Sequence, residues 1–275
     1  PLRTFGLALA LLRHHVEARL DAGAVVREGL GRLARRAFRR PVSAEELDEY
    51  VNITKAERAA GEKFRDAVKA GMLAILCSKS FVFLAEGDES ASRNELNDWE
   101  IASRLSYLLW STMPDEELAK AADSGQLRRP EVLRAQVKRM LADARSQALV
   151  ENFVGQWLGL RILDKRKPDP GHFPRVDDEL LEAMRTETEL FAASILREDR
   201  SILEFLDGRY SFINGVLARH YGIPGVSGEA FQRVALEGGR RGGVVTQGSV
   251  LTLSSYATRT SPVLRGRWVL ENLLG

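Results

Sequence analysis

Cysteine is nearly missing from this chain. One thiol, Cys77, stands among 275 residues, so no internal disulfide forms and no Cys-x-x-Cys metal or redox site exists. Its apolar neighbours, Met72-Leu-Ala-Ile-Leu-Cys77, mark it as a small core residue in preference to a reactive thiol. Histidine is scarce as well: His14, His15, His172 and His220. No pair has the His-x-x-x-His spacing that puts two imidazoles on one helix face for zinc, and no Cys-x-x-Cys-His haem string occurs. Excess charge of one sign is lacking, with 40 Lys+Arg against 38 Asp+Glu and a net charge of +2. That balance gives no long-range field for nucleic acid. Long apolar runs are absent too. The stretch Phe5-Gly-Leu-Ala-Leu-Ala-Leu-Leu12 is about eight residues, too short to span a bilayer. It has the character of a signal's apolar region, but no clean small-residue cleavage pattern follows it, and part of a helix is the preferred reading. There is no Gly-x-Ser-x-Gly elbow. Gly242-Gly-Val-Val-Thr-Gln-Gly-Ser249 lacks the Gly-Lys-Ser/Thr ending of a phosphate loop.

What remains is an ordinary globular balance, 44% hydrophobic and 28% charged, in a chain long enough to bury a core without staples. The start at Pro1 and the end at Gly275, directly after Trp268-Val-Leu-Glu-Asn-Leu-Leu274, read as boundaries inside a larger protein.

Helical periodicity dominates. Residues 24–40 place Val25, Val26, Leu30, Leu33, Ala34 and Phe38 on one stripe, and Arg27, Arg32, Arg35, Arg36, Arg39 and Arg40 on a basic face. That face is solvated, or it meets an acidic partner. Pro41 stops the helix, and Ser43-Ala-Glu-Glu46 is a capping box that opens the next. A third helix is expected over 62–79, with Phe64, Val68, Met72, Ile75 and Leu76 inward, followed by a short buried run, Ser80–Ala85. Further helices are expected over 96–110, from Thr112-Met-Pro-Asp115 to Gly125, from Pro130 to Leu141, and over 146–160. The string Lys165-Arg-Lys-Pro-Asp-Pro-Gly171 breaks the pattern sharply. A long helix then covers 176–197, with Leu180, Met184, Thr188, Phe191, Ile195 and Leu196 on one side. After about residue 200 glycine and aromatic residues become denser. Tyr210–Asn214 and Phe231–Leu236 suit short strands, and a last helix fills 262–274. The fold expected is mainly α, a multi-helix orthogonal bundle with a small mixed, Gly-rich C-terminal part.

One segment carries chemistry. Ser254-Ser-Tyr-Ala-Thr-Arg-Thr-Ser-Pro-Val-Leu-Arg-Gly-Arg-Trp268 gathers hydroxyls and arginines at a helix start. Thr260 or Ser261 caps that helix and Pro262 takes its first position. Free amides beside Arg259 and Arg265 suit an anion or carboxylate. Arg240 and Arg241 are placed to converge on it, and His220, at the end of a short helix, completes the candidate ligand-binding set. The competing structural reading is a capped helix whose arginines hold loop carbonyls. Glu187 and Glu189 fall on different helix faces and form no catalytic pair.

Several strings resemble a known bacterial family set. They are Arg35-Arg-Ala-Phe-Arg-Arg-Pro-Val42 with Ser-Ala-Glu-Glu following, Ala102-Ser-Arg-Leu-Ser-Tyr-Leu-Leu-Trp-Ser111 with Pro114-Asp115, and Gln156-Trp-Leu158. Leu217-Ala-Arg-His-Tyr-Gly222 after Asn214, Arg241-Gly-Gly243, and Arg259-Thr-Ser-Pro-Val-Leu-Arg-Gly266 complete the set. Together they resemble the consecutive DUF1595, DUF1592 and DUF1588 regions of planctomycete-type multidomain proteins, over about 29–275. The resemblance implies three regions: an N-terminal helical domain over 1–85, a central helical domain over 94–222, and a C-terminal mixed segment over 223–275 packed on the central one. It also implies an exported, periplasmic or cell-surface protein in which this stretch is flanked by cytochrome c-like domains. Haem c then sits in those neighbours, and no cofactor sits here. Two function classes stay open. One is a binding or scaffold region with an anionic or carbohydrate ligand. The other is the catalytic part of an exported oxidoreductase or polysaccharide-acting hydrolase, which requires a pocket holding a titratable group such as His220 or Glu187.

Overall fold

A computed structural model of the chain describes residues 22–84, 86, 95–239 and 241–275. The chain is mainly α: among the described residues there are 14 helices and one small two-stranded sheet. The expectations for Phe5–Leu12, His14 and His15 lie outside the described residues. No described helix is long and apolar enough to cross a membrane. The described chain falls into two compact units. One holds residues through Tyr107 together with Thr112–Arg134, the other Leu108–Ser111 with Ala135–Gly275.

In the first unit, helix α1 (Ala22–Phe38) buries Leu30, Ala34 and Phe38 of the expected stripe together with Ala37, while Val25, at the start of the stripe, is exposed. Arg39 then takes a left-handed turn, φ 59°, and Pro41 follows. Helix α2 (Ala44–Ala59) starts at Ser43, whose Oγ accepts the Glu46 amide at 3.1 Å. Only this half of the capping box forms as expected, because the Glu46 carboxylate accepts both nitrogens of Arg40, at 2.8 and 2.9 Å. A bidentate guanidinium is the stronger partner.

Helix α3 (Phe64–Leu76) corrects the expected stripe. Its buried residues are Ala67, Gly71 and Ile75, while Phe64, Met72 and Leu76 are exposed. The reason is close approach: a Cβ at Gly71 would collide with Thr54 Oγ1 of α2. Small residues four apart let the backbones near each other, which turns the bulkier residues outward. Helix α4 (Lys79–Val82) follows. The run expected to be buried is not, since Phe81, Val82, Phe83 and Leu84 are all exposed, and so is Cys77. Helices α5 (Asp98–Trp110), α6 (Glu116–Asp123) and α7 (Pro130–Ala142) come next. α6 is capped by Asp115, which accepts the Leu118 amide at 3.0 Å, so Thr112–Pro114 precede the helix and do not open it.

The second unit is built around one long helix. A helical run over 144–157 contains α8 (Gln147–Leu149), a π-helical turn (Val150–Val154) and α9 (Gly155–Trp157). The Lys165–Gly171 break leads to α10 (Asp178–Arg197), capped by Asp177 and buried along Leu180, Met184, Thr188, Phe191 and Ile195. Short α11 (Glu204–Asp207) precedes strand β1 (Tyr210–Ile213), α12 (Gly215–Tyr221) and strand β2 (Gln232–Ala235). The strands pair antiparallel, Tyr210 opposite Ala235 and Ile213 opposite Gln232. Helices α13 (Gly248–Leu253) and α14 (Pro262–Val269) close the unit, with a π-helical turn at Leu270–Leu274. Phe191 sits at the centre, fully buried, with Phe205 edge-on at 6.2 Å and Tyr210 tilted at 5.1 Å.

Candidate functional site

The most distinctive polar group of the second unit is Glu187. It lies midway along α10, in the same inward seam as Leu180, Met184, Phe191 and Ile195, and is 1% exposed. A bare carboxylate there would be strongly disfavoured, so its oxygens need donors. Ser211 Oγ on β1 donates to Oε1 at 2.5 Å, and Tyr221 OH on α12 donates to Oε2 at 2.6 Å. The Gly248 amide at the start of α13 donates to the Tyr221 oxygen at 2.8 Å. A side chain at Gly248 would run into Met184 and that same hydroxyl, each 2.8 Å from a Cβ, so glycine is required for α13 to come this close. One position further along each helix, Thr188 Oγ1 and Ser249 Oγ share a hydrogen bond of 2.6 Å.

Beside the carboxyl is a cavity of about 10 Å³, lined by Glu187, Tyr210, Arg241, Thr246 and Gln247 among others. That is room for a single water. Arg241 stacks its guanidinium 3.8 Å above the Tyr221 ring and donates to the Thr246 carbonyl at 2.9 Å. Gln247 is 4% exposed, and its Oε1 is a buried acceptor without a donor among the described residues. Burial pushes the Glu187 carboxyl up to about 7, against the opposing pull of the two hydroxyl donors and of the Arg241 charge. The Tyr221 hydroxyl is driven well above its ordinary range by burial and by Glu187. The arrangement holds a proton near neutral pH and keeps bulk water away; in the protonated carboxyl one of the two contacts reverses, the carboxyl O–H donating to the hydroxyl.

The residues expected from the sequence divide between two places. Arg241 lines the Glu187 cavity, whereas His220 does not and stands beside Tyr221, ring centroids 5.4 Å apart. His220 is exposed at the end of α12, and desolvation of its ring, with the charges of Arg241 and Arg175, holds it below its ordinary value. The others form a local structure around the start of α14. Tyr256 to Arg259 make a tight turn, closed by the Tyr256 amide on the Arg259 carbonyl at 2.9 Å and by a bridge between Ser255 and Thr260. Arg259 is exposed and lies 4.7 Å over the Tyr256 ring. Thr260 is exposed. Ser261 is the cap, its Oγ accepting the Leu264 amide at 3.2 Å, with Pro262 in the first position. Arg265 Nε donates to Ser254 Oγ at 3.4 Å. Arg240 lies outside the described residues.

Sequence reasoning named Glu187 only as one titratable possibility and did not see its place. The signal was present: a glutamate at the interior position of Leu180-Met184-Glu187-Phe191-Ile195. Ser211 and Gln247 left no comparable trace, because partners brought from a strand and a loop follow no helical period.

The one cysteine cannot provide the two thioethers of a c-type haem, and among the described residues no three His, Cys, Asp or Glu side chains group as metal ligands. His172 is engaged with Asp169, Nδ1 to Oδ1 at 3.0 Å.

Three family models match the chain in order. PSD5, a protein of unknown function (DUF1595), matches residues 25–86; PSD4, a protein of unknown function (DUF1592), matches 96–223; PSCyt3, a protein of unknown function (DUF1588), matches 241–275. The chain is therefore a succession of DUF1595, DUF1592 and DUF1588 regions, as its motifs implied. No curated protein and no solved structure matches it. Set on these boundaries, the Glu187 cavity takes Glu187, Tyr210, Ser211 and Tyr221 from the DUF1592 region, and Arg241, Gly243, Thr246 and Gln247 from the DUF1588 region.

Proposed function

We propose that this chain is a helical binding and scaffold region of an exported cytochrome c-linked protein, set against haem-bearing neighbours and not itself performing the redox step. The observation that supports it most is how Glu187 is used. The buried carboxyl is bonded within the DUF1592 region to Ser211 and Tyr221, and the Tyr221 hydroxyl is in turn held by the Gly248 amide of the DUF1588 region. A group spent on internal donors, beside a space for one water, serves cohesion. The family context supports the exported setting, with haem c carried by flanking cytochrome c-like domains that act as partners of this region. The exposed Arg259 turn and Arg265 are the surface offered to an anionic or carbohydrate ligand.

A catalytic reading, as an exported oxidoreductase or polysaccharide-acting hydrolase, draws on the same carboxyl, since a proton held near neutrality suits acid–base work. Size weighs against it. About 10 Å³ admits no sugar ring, and glycoside hydrolysis by the common route needs two carboxyl groups where this cavity has Glu187 alone. The test is the intact gene product carrying Glu187→Gln. On the scaffold reading its haem spectrum and electron transfer match the parent, and only its unfolding differs. Loss of turnover on a redox dye or a polysaccharide, with folding intact, would establish catalysis instead.

A further inference from the structure

A second cleft lies in the first unit, with a volume of about 80 Å³. Its floor is apolar, formed by Trp99, Met113, Pro114 and Ala119 with Ala102. Its rim is four arginines of one short stretch, Arg35, Arg36, Arg39 and Arg40, with one carboxylate, Asp123. Arg35 and Arg36 lie in the last turn of α1, and Arg39 and Arg40 follow on the left-handed turn that ends it.

The charges do not cancel. Arg35 is ion-paired with Asp123, whose other oxygen accepts the Trp99 indole N–H at 2.9 Å. Arg40 is taken by Glu46. Arg39 donates to the backbone carbonyls of Ser80 and Phe83, both at 3.0 Å, and lies 5.7 Å over the Tyr107 ring. Carbonyls accept its hydrogen bonds but leave its charge uncompensated. Arg36 is exposed and has no partner among the described residues. Two guanidinium charges therefore remain unmatched at the mouth of an apolar slot. Arg39 also holds the left-handed position just past a helix end, where glycine is the ordinary occupant, so an arginine is kept there against backbone preference.

We propose that this cleft binds a small organic carboxylate with an apolar body. The acid group lies on Arg36 and Arg39, and the body lies against Trp99 and Met113. A guanidinium fork matches a carboxylate's two oxygens, and the floor takes an aryl or short alkyl group out of water. Both parts are needed. An inorganic anion finds no use for the floor, and a neutral analogue leaves the charges unmatched.

The experiment titrates the full chain with benzoate by calorimetry, with benzamide and inorganic phosphate as controls. The Trp99 indole N–H is followed by NMR, its signal assigned with Trp99→Phe. Benzoate is expected to bind saturably and about tenfold tighter than either control, shifting the Trp99 signal. Arg36→Gln, a change at an exposed position, is expected to weaken benzoate about tenfold, as the loss of one charge-assisted contact implies, with the melting temperature unchanged. Ala119→Leu, which fills the slot, abolishes binding in a folded variant. No saturable benzoate binding to the folded chain overturns the proposal. Equal binding of phosphate or benzamide, or an affinity that ignores Arg36→Gln, does the same.

Discussion

The buried carboxyl gives stability a pH dependence that can be worked through. In the unfolded chain Glu187 titrates at its ordinary value of 4.5, and in the folded protein burial raises it to about 7. Between those values the folded state keeps a proton that the unfolded state has lost. Raising the pH therefore favours unfolding. The benefit of the neutral carboxyl is complete below about 4.5, drains away as the pH climbs to about 7, and is flat above. At about 1.4 kcal/mol per pH unit, the window corresponds to about 3 kcal/mol. Glu187→Gln keeps an acceptor and a donor in the same volume and removes the titration. The assay is urea unfolding of parent and variant, by tryptophan fluorescence, at intervals from pH 4.5 to 8. Other groups titrate in this range: His220, held below its ordinary value, contributes in the opposite sense, gaining stability as pH rises toward its unfolded value. Because both proteins share those groups, the difference between their curves isolates Glu187. The variant should gain on the parent by about 3 kcal/mol from the acid to the alkaline end of the window. Parallel curves would refute the reasoning, for they would mean that Glu187 is ionised throughout, its two donors and Arg241 outweighing burial.

The remaining expectations concern packing, caps and close approach. Phe191→Ala removes a fully buried ring held between Phe205 and Tyr210, and should cost about 3–5 kcal/mol in guanidinium unfolding. Gly248→Ala forces a methyl onto Met184 and the Tyr221 hydroxyl, and should lower stability by about 1–3 kcal/mol, most of it lost in the Tyr221–Glu187 contact. Ser261→Ala removes the α14 cap for about 1 kcal/mol, whereas Arg259→Ala, on an exposed turn, should stay within about 0.5 kcal/mol. Thermal or denaturant midpoints of the pair separate a structural cap from a surface arginine.

These residues also show how much the sequence disclosed. Period and caps located most of the described helices, because apolar stripes at 3.6 spacing and Ser43, Gly125 or Ser261 at their ends are local signals. The two strands were legible from Tyr210–Asn214 and Phe231–Leu236. Where the reading went astray, the deciding fact was not local. α3 has apolar residues on two faces, and which one turns inward depends on Gly71 meeting Thr54 of another helix. The run from Phe81 to Leu84 looks like core by composition, yet it is exposed in its unit.

The sites divide along the same line. The start of α14 was legible because a cap is a matter of three consecutive residues. The Glu187 cavity was not, since it needs Ser211, Tyr221 and Gln247 from three other elements, none of them spaced to Glu187 by any period. The part that could have been read is the glutamate itself. A charged residue in the seam of an otherwise apolar helix has to find donors, and α10 offers none from its own inner face beyond Thr188 and Ser194, which bond to Met184 and Phe191 carbonyls. Donors must then come from whatever packs on α10. Both arrive from the DUF1592 region, on β1 and α12, and the tie to the DUF1588 region is one bond further out, where the Gly248 amide donates to the Tyr221 oxygen; such a tie, beside a space the size of one water, is better placed to hold two regions together than to turn over a substrate.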